Sequence, residues 1–232
     1  MVKIIAGPCI LQSEKDVQLA KTLKDLGADV FRAKMYRAEG THPPDKVRGY
    51  LSANAMRWFG EIKEFMPIAT EVSQKFPLHD WFDYIWLPAR QMQNYAALKS
   101  LNFEKRKGII LKRHFGCTLD EWLGASEYLP DCEVIFCERG TVSFDRRPNS
   151  DMRWRPDILA IAELKQMGKT VCFDATHSVC NSRFVIPMAR AAVAAGADMI
   201  MVEVRENMEE SWSDKTWGIN LTQFEQLVKE IK

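Results

Sequence analysis

Short runs rich in β-branched and aromatic residues alternate with amphipathic stretches along the whole of this chain. The strand-like runs fall at 2–6, 29–33, 67–71, 83–87, 108–112, 133–137, 170–174 and 198–203. A helical pattern follows each of them, at 14–26, 50–65, 74–80, 91–100, 118–129, 157–167, 183–195 and 221–231. Parallel neighbours in a sheet need a crossover and a helix supplies it, so this alternation predicts an α/β protein with a parallel sheet. Eight such units close into a (β/α)8 TIM barrel. The 232 residues fit one barrel of this kind, so 1–232 reads as a single domain with no regulatory domain beside it. The third helix is the least regular, because SQKFPLHD contains Pro77. The seventh is the most regular, Ala-rich and stopped by Gly196.

Global charge excludes several classes of partner. Formal net charge is +1, which argues against a nucleic-acid or membrane-surface role. No apolar run approaches the roughly 18 residues of a membrane span, and strand-like sequence begins at once, without a secretory segment. Six cysteines in such a chain point to reduced thiols and a cytoplasmic location.

In a barrel the working face is the one at the C-terminal ends of the strands. In chain order the residues there are Cys9; Arg32 and Lys34; Glu71; Arg90; Lys112 and Arg113; Glu138 and Arg139; Asp174 and His177; and Glu203. Each alone has an ordinary structural reading: Cys9 as a small buried apolar group, His177 as a loop histidine, Glu203 and Asp214 as partners of Arg205 and Lys215. The tryptophans at 81 and 86 read as packing between helix and barrel. The combination says more. Cys9, His177, Glu203 and Asp214 form a mixed sulfur, nitrogen and oxygen set suited to a divalent transition metal, whether Mn, Fe, Co or Zn. Arg90, Lys112 and Arg139 end three consecutive strands and suit a phosphate or carboxylate. A metal beside such a pocket polarises a carbonyl. The stretch 138–156 is a long polar loop, a length usually reserved for function.

Longer segments carry a family resemblance. AGPCILQSEKD (6–16), PARQMQNYAALK (88–99), GIILKRHFGCTLDEWLGASEYL (108–129), CEVIFCERG (132–140) and AAVAAGADMIMVEV (191–204), with the later SDK (213–215), resemble the class I 3-deoxy-D-arabino-heptulosonate 7-phosphate (DAHP) synthases of the short microbial type. FDATHSV (173–179) is nearer the form found in 3-deoxy-D-manno-octulosonate 8-phosphate (KDO8P) synthases. The resemblance implies condensation of phosphoenolpyruvate with a phosphorylated aldose, most often erythrose 4-phosphate, at the head of aromatic biosynthesis. It puts Cys9, His177, Glu203 and Asp214 on the metal ligands, with Cys9, His177 and Lys112 taking catalytic roles. It puts Arg90, Lys112, Arg113 and Arg139 on the phosphoenolpyruvate site and Arg32 near its carboxylate. It also implies a homo-oligomer, dimer or tetramer.

One segment departs from the family. After the second strand DAHP synthases carry KPRT, whereas this chain reads RAKMYRAEGTHPP (32–44). Arg37 stands where the lysine belongs, Glu39 where the phosphate-binding arginine belongs, and Thr41 matches only after a one-residue insertion; Lys34 is a candidate for the missing amine. Two alternatives stay open: a KDO8P synthase using arabinose 5-phosphate, and an inactive barrel that binds a phosphorylated metabolite.

Overall fold

The computed structural model describes residues 1–35, 53–72, 79–100, 106–129, 132–144, 154–211 and 215–232. Eight parallel strands close into a barrel in sequence order: β1 (Lys3–Gly7), β2 (Val30–Arg32), β3 (Ile68–Glu71), β4 (Tyr84–Leu87), β5 (Gly108–Lys112), β6 (Val134–Glu138), β7 (Thr170–Asp174) and β8 (Met199–Glu203). β8 pairs with β1 from Lys3↔Met199 to Gly7↔Glu203 and closes the cylinder. Each strand lies within one residue of the expected span. The reason is compositional: strands buried on both faces read as continuous apolar runs, and these do.

The described helices are α1 (Lys15–Asp25), α2 (Ala53–Lys63), α3 (Tyr95–Ser100), α4 (Leu119–Ser126), α5 (Ile158–Gln166), α6 (Ala175–Val179), α7 (Ser182–Ala194) and α8 (Leu221–Ile231). The helix expected at 74–80 falls almost wholly outside the described residues. The one expected at 91–100 is divided: a 3-10 turn at Ala89–Gln91 precedes α3, and Asn94, whose Oδ1 accepts from the Ala97 N–H at 3.2 Å, starts the helix afresh. The short α6 was not expected; Asp174 caps it by accepting from the His177 N–H at 3.2 Å. α4 begins with a capping box between Thr118 and Glu121. Gly196, at φ +102°, ends α7 where a side chain would be strained.

Two apolar layers result. The larger lies between sheet and helices, with Phe31, Phe59, Trp122, Phe136 and Phe173 in it. The smaller fills the barrel itself, with Ile5, Val30, Ala69, Tyr84, Trp86, Ile110, Ile135, Cys137, Cys172, Met199 and Met201. Since side chains alternate along a strand, this inner set fixes which later positions also face inward.

The N-terminal end of the barrel uses one device three times. Asp29, Asp83 and Asp198 each precede a strand and accept a backbone N–H from the neighbouring strand: Ile4 at 2.7 Å, Ile68 at 3.0 Å and Val171 at 2.7 Å. A lysine from a helix or its end neutralises each one: Lys232 at 2.8 Å, Lys63 at 2.5 Å and Lys165 at 2.7 Å. This is the face on which polar residues serve stability.

Candidate active site

Counting in twos from the inner layer leads to the upper face. From Ile5 the positions are Gly7 and Cys9; from Val30, Arg32 and Lys34; from Ala69, Glu71. From Ile110 the next is Lys112, from Cys137 Arg139, from Cys172 Asp174, and from Met201 Glu203. Arg113 and Glu138 have the opposite parity and face outward.

The site is built from buried charge. Lys112 Nζ lies 2.5 Å from Asp174 Oδ2 with both side chains buried. The same carboxylate contacts His177 Nδ1 at 2.9 Å through Oδ2 and at 3.0 Å through Oδ1. Burial pushes the Asp174 carboxyl up, but His177, Lys112 and Arg32 hold it well below the usual aspartate range. An ionised carboxylate only accepts, so Nδ1 presents its proton to Asp174 and Nε2 is turned away from it. That nitrogen is 3.5 Å from Glu203 Oε1. Glu203 is buried, and Arg32 Nη2 is 3.0 Å from the same oxygen. Yet among the described residues neither Glu203 oxygen receives an aligned hydrogen bond.

The Cys9 loop is tied in from both sides. Gly7 brings the end of β1 so close to β2 that a side chain there would meet the Arg32 carbonyl at 2.2 Å. Beyond it the Lys34 N–H donates to the Cys9 carbonyl at 3.0 Å and the Leu11 N–H to the Lys34 carbonyl at 2.8 Å. On the other side Arg205 donates to Asp16 Oδ1 at 2.9 Å and to the Ile10 carbonyl at 3.0 Å. Asp16 also caps the loop N–H groups of Gln12 and Ser13. Burial alone would lower the Lys34 amine, but Cys9, Glu71 and Glu203 raise it above the ordinary lysine value. Burial likewise pushes Glu71 up, while Lys34, the Trp86 N–H, Lys112 and Arg90 hold it below the ordinary glutamate value. Both therefore stay charged at neutral pH.

Several expectations change here. Arg113 does not join Lys112; it donates to Asp157 at 2.7 Å and to the Cys117 carbonyl at 3.1 Å, and stacks 5.5 Å from the Trp122 ring. Its outward parity makes it a brace between β5 and α5. Glu203 pairs with Arg32 rather than Arg205, whose partner is Asp16. Trp86 lies inside the barrel, not between helix and barrel. Arg90 is exposed in the turn after β4, and Arg139 is buried with its guanidinium 5.1 Å from the Trp154 ring. Trp154 stacks on Phe115 at 4.6 Å, and the Thr141–Arg155 bridge closes the base of the long loop. Arg37, Thr41 and Asp214 lie outside the described residues.

The donor chemistry fits a divalent metal. An imidazole whose Nδ1 is held by a carboxylate is oriented as metal-binding histidines are, and Glu203 is a buried carboxylate short of hydrogen-bond donors. Among the described residues no three His, Cys, Asp or Glu side chains close into a ready cluster. His177 and Glu203 form a facing pair, and Cys9 is the thiol on the adjoining loop.

The model of the DAHP synthetase I family matches residues 1–232. A phospho-2-dehydro-3-deoxyheptonate aldolase of Thermotoga maritima is 31% identical over 99% of this chain and 68% of its own length. A 2-dehydro-3-deoxyphosphooctonate aldolase of Hydrogenovibrio crunogenus is 28% identical over 94% of this chain and 85% of its own. The crystal structure of the Thermotoga maritima DAHP synthase superposes with a TM-score of 0.84 at 29% identity, covering 99% of this chain and 68% of that one. A truncated form of the Thermotoga maritima enzyme gives 0.83 at 29% identity over 99% and 84%.

Proposed function

This chain belongs to the DAHP synthetase I family, and from that premise we propose that it condenses phosphoenolpyruvate with a phosphorylated aldose in a metal-dependent reaction, erythrose 4-phosphate being the first candidate aldehyde. One observation carries the reading: buried cations on inner-face positions, Arg32, Lys112 and Arg139, stand on the same barrel face as the His177–Glu203 pair. A barrel that only bound a phosphorylated metabolite would use the cations but not the His177–Glu203 pair, whose buried carboxylate is short of hydrogen-bond donors among the described residues, and a buried charge costs several kcal/mol unless compensated.

In this reading Arg90, Lys112 and Arg139 hold the enol phosphate and Arg32 the carboxylate, with Lys34 beside it. Arg37 and Thr41 are candidates for the aldose phosphate. Cys9, His177, Glu203 and Asp214 hold a divalent ion, Mn, Fe, Co or Zn, which when bound supplies Lewis acidity to the aldehyde carbonyl. Asp174 orients the His177 ring through Nδ1 and pairs with Lys112. Lys112 then neutralises the phosphate as it departs. C3 of the enol phosphate forms a bond to C1 of the aldehyde, water adds at C2, and the bond between C2 and the phosphate oxygen breaks.

A second aldehyde, arabinose 5-phosphate, is supported by FDATHSV and by the similarity to the octulosonate enzymes. The test is phosphate release from phosphoenolpyruvate with a panel of aldose phosphates. Release stimulated by erythrose 4-phosphate supports the first candidate, release by arabinose 5-phosphate alone supports the second, and none with any aldose refutes both.

A further inference from the structure

Trp86 is among the largest fully buried side chains and occupies the barrel interior. The Arg32 guanidinium carbon lies 4.9 Å from its ring centroid and Lys112 Nζ lies 5.4 Å from it. Its Nε1–H donates to Glu71 Oε2 at 2.8 Å, and Glu71 is its register partner on β3. One ring therefore serves two cations while its edge is fixed by a carboxylate. The electron-rich faces of an indole attract cations, and the attraction grows when water is excluded. Arg32 and Lys112 repel each other, and their counter-ions, Glu203 and Asp174, come from β8 and β7. Trp86 is a contact the two cations share.

We infer that Trp86 is a positioning residue of the anion pocket: its ring sets where Arg32 and Lys112 stand, and so the spacing of the groups that meet the carboxylate and phosphate of phosphoenolpyruvate. The inference rests on the functional reading above. An aliphatic side chain keeps this barrel layer apolar without attracting either cation, and the cavity it leaves lowers stability rather than the affinity for one substrate, so positioning and packing can be told apart.

The experiment compares the metal-loaded full chain with Trp86→Phe and Trp86→Leu by calorimetric titration with phosphoenolpyruvate, by steady-state kinetics and by thermal melting. Phe keeps a weaker π face and loses the N–H; Leu loses both. We expect phosphoenolpyruvate affinity to fall about threefold for Phe and roughly tenfold or more for Leu, with kcat falling in the same order because Lys112 also meets the departing phosphate, and with the KM for the aldose phosphate unchanged. Equal affinity in wild type and both variants overturns the inference. So does a parallel loss of melting temperature, kcat and both KM values, which is the signature of packing alone. If Leu does not fold, Phe carries the comparison, and wild-type affinity in Phe overturns the inference. A wild type that binds no phosphoenolpyruvate overturns the functional reading and this inference with it; a wild type that binds it while the variants match overturns this inference alone.

Discussion

Replacing Asp174 by Asn should unbalance two parts of the site at once. The carboxylate is buried and accepts from Lys112 Nζ at 2.5 Å, His177 Nδ1 at 2.9 Å and the His177 N–H at 3.2 Å. The amide can still cap α6 through its oxygen, but its NH2 would then face the Lys112 ammonium, donor against donor. Removing one partner of a buried ion pair costs roughly 3–5 kcal/mol. We therefore expect Asp174→Asn to lower unfolding free energy by about 3–5 kcal/mol, read from denaturant titrations at pH 7. In a cycle with Lys112→Met the double variant should recover about 2 kcal/mol or more relative to additivity. In wild type the sign with pH is set by the depressed Asp174 carboxyl: its contribution is complete above the unfolded aspartate pKa of about 3.9 and is lost as pH falls toward the lower folded value. A loss under about 1 kcal/mol, or strict additivity with Lys112→Met, would refute the view that this pair is a coupled, desolvated unit.

Other outcomes follow from the same geometry. Burial raises the Glu138 carboxyl to about 7, with the Gly140 N–H and Arg113 opposing; between the unfolded value of about 4.3 and that point the folded state holds a proton the unfolded state has lost. Stability should therefore fall as pH rises from about 4.3 to about 7 and level off above that, and Glu138→Gln should flatten that slope in melting curves taken from about pH 4.5 to 8; an unchanged slope refutes the assignment. Cys9→Ala should lower bound metal measured by elemental analysis, and exhaustive chelation should abolish turnover; full activity after chelation would reject metal dependence. Asp83→Asn, at the opposite end of the barrel, should cost about 1.5–3 kcal/mol through Lys63 and the Ile68 N–H, yet leave both KM values as they are. Altered kinetics there would mean that the base is not insulated from the site.

The barrel was legible because its strands are buried on both faces and their apolar runs stand out between polar crossovers. The inner-face residues were legible by counting in twos, and the same count from Tyr84 places Trp86 inside the barrel. What escaped was pairing over long sequence separations. Nothing near Arg205 announces Asp16, and nothing near Lys112 announces Asp174, because the chain meets itself only after the barrel closes. Arg113 was misjudged because its place beside Lys112 hid its opposite parity. The short α6 escaped because five residues are too few for a periodic pattern, although Asp174, three residues before His177, has the spacing of a cap. The family resemblance held over the whole chain.

The central claim is condensation rather than simple hydrolysis of the enol phosphate, and the position of bond cleavage decides between them. Phosphoenolpyruvate labelled with oxygen-18 in the bridging position is incubated with the metal-loaded protein and an aldose phosphate, and the released phosphate is analysed by mass. The account predicts release that depends on the aldose phosphate, with the label in the phosphate because the carbon–oxygen bond breaks. Release without an aldose phosphate, or phosphate free of label, would contradict it.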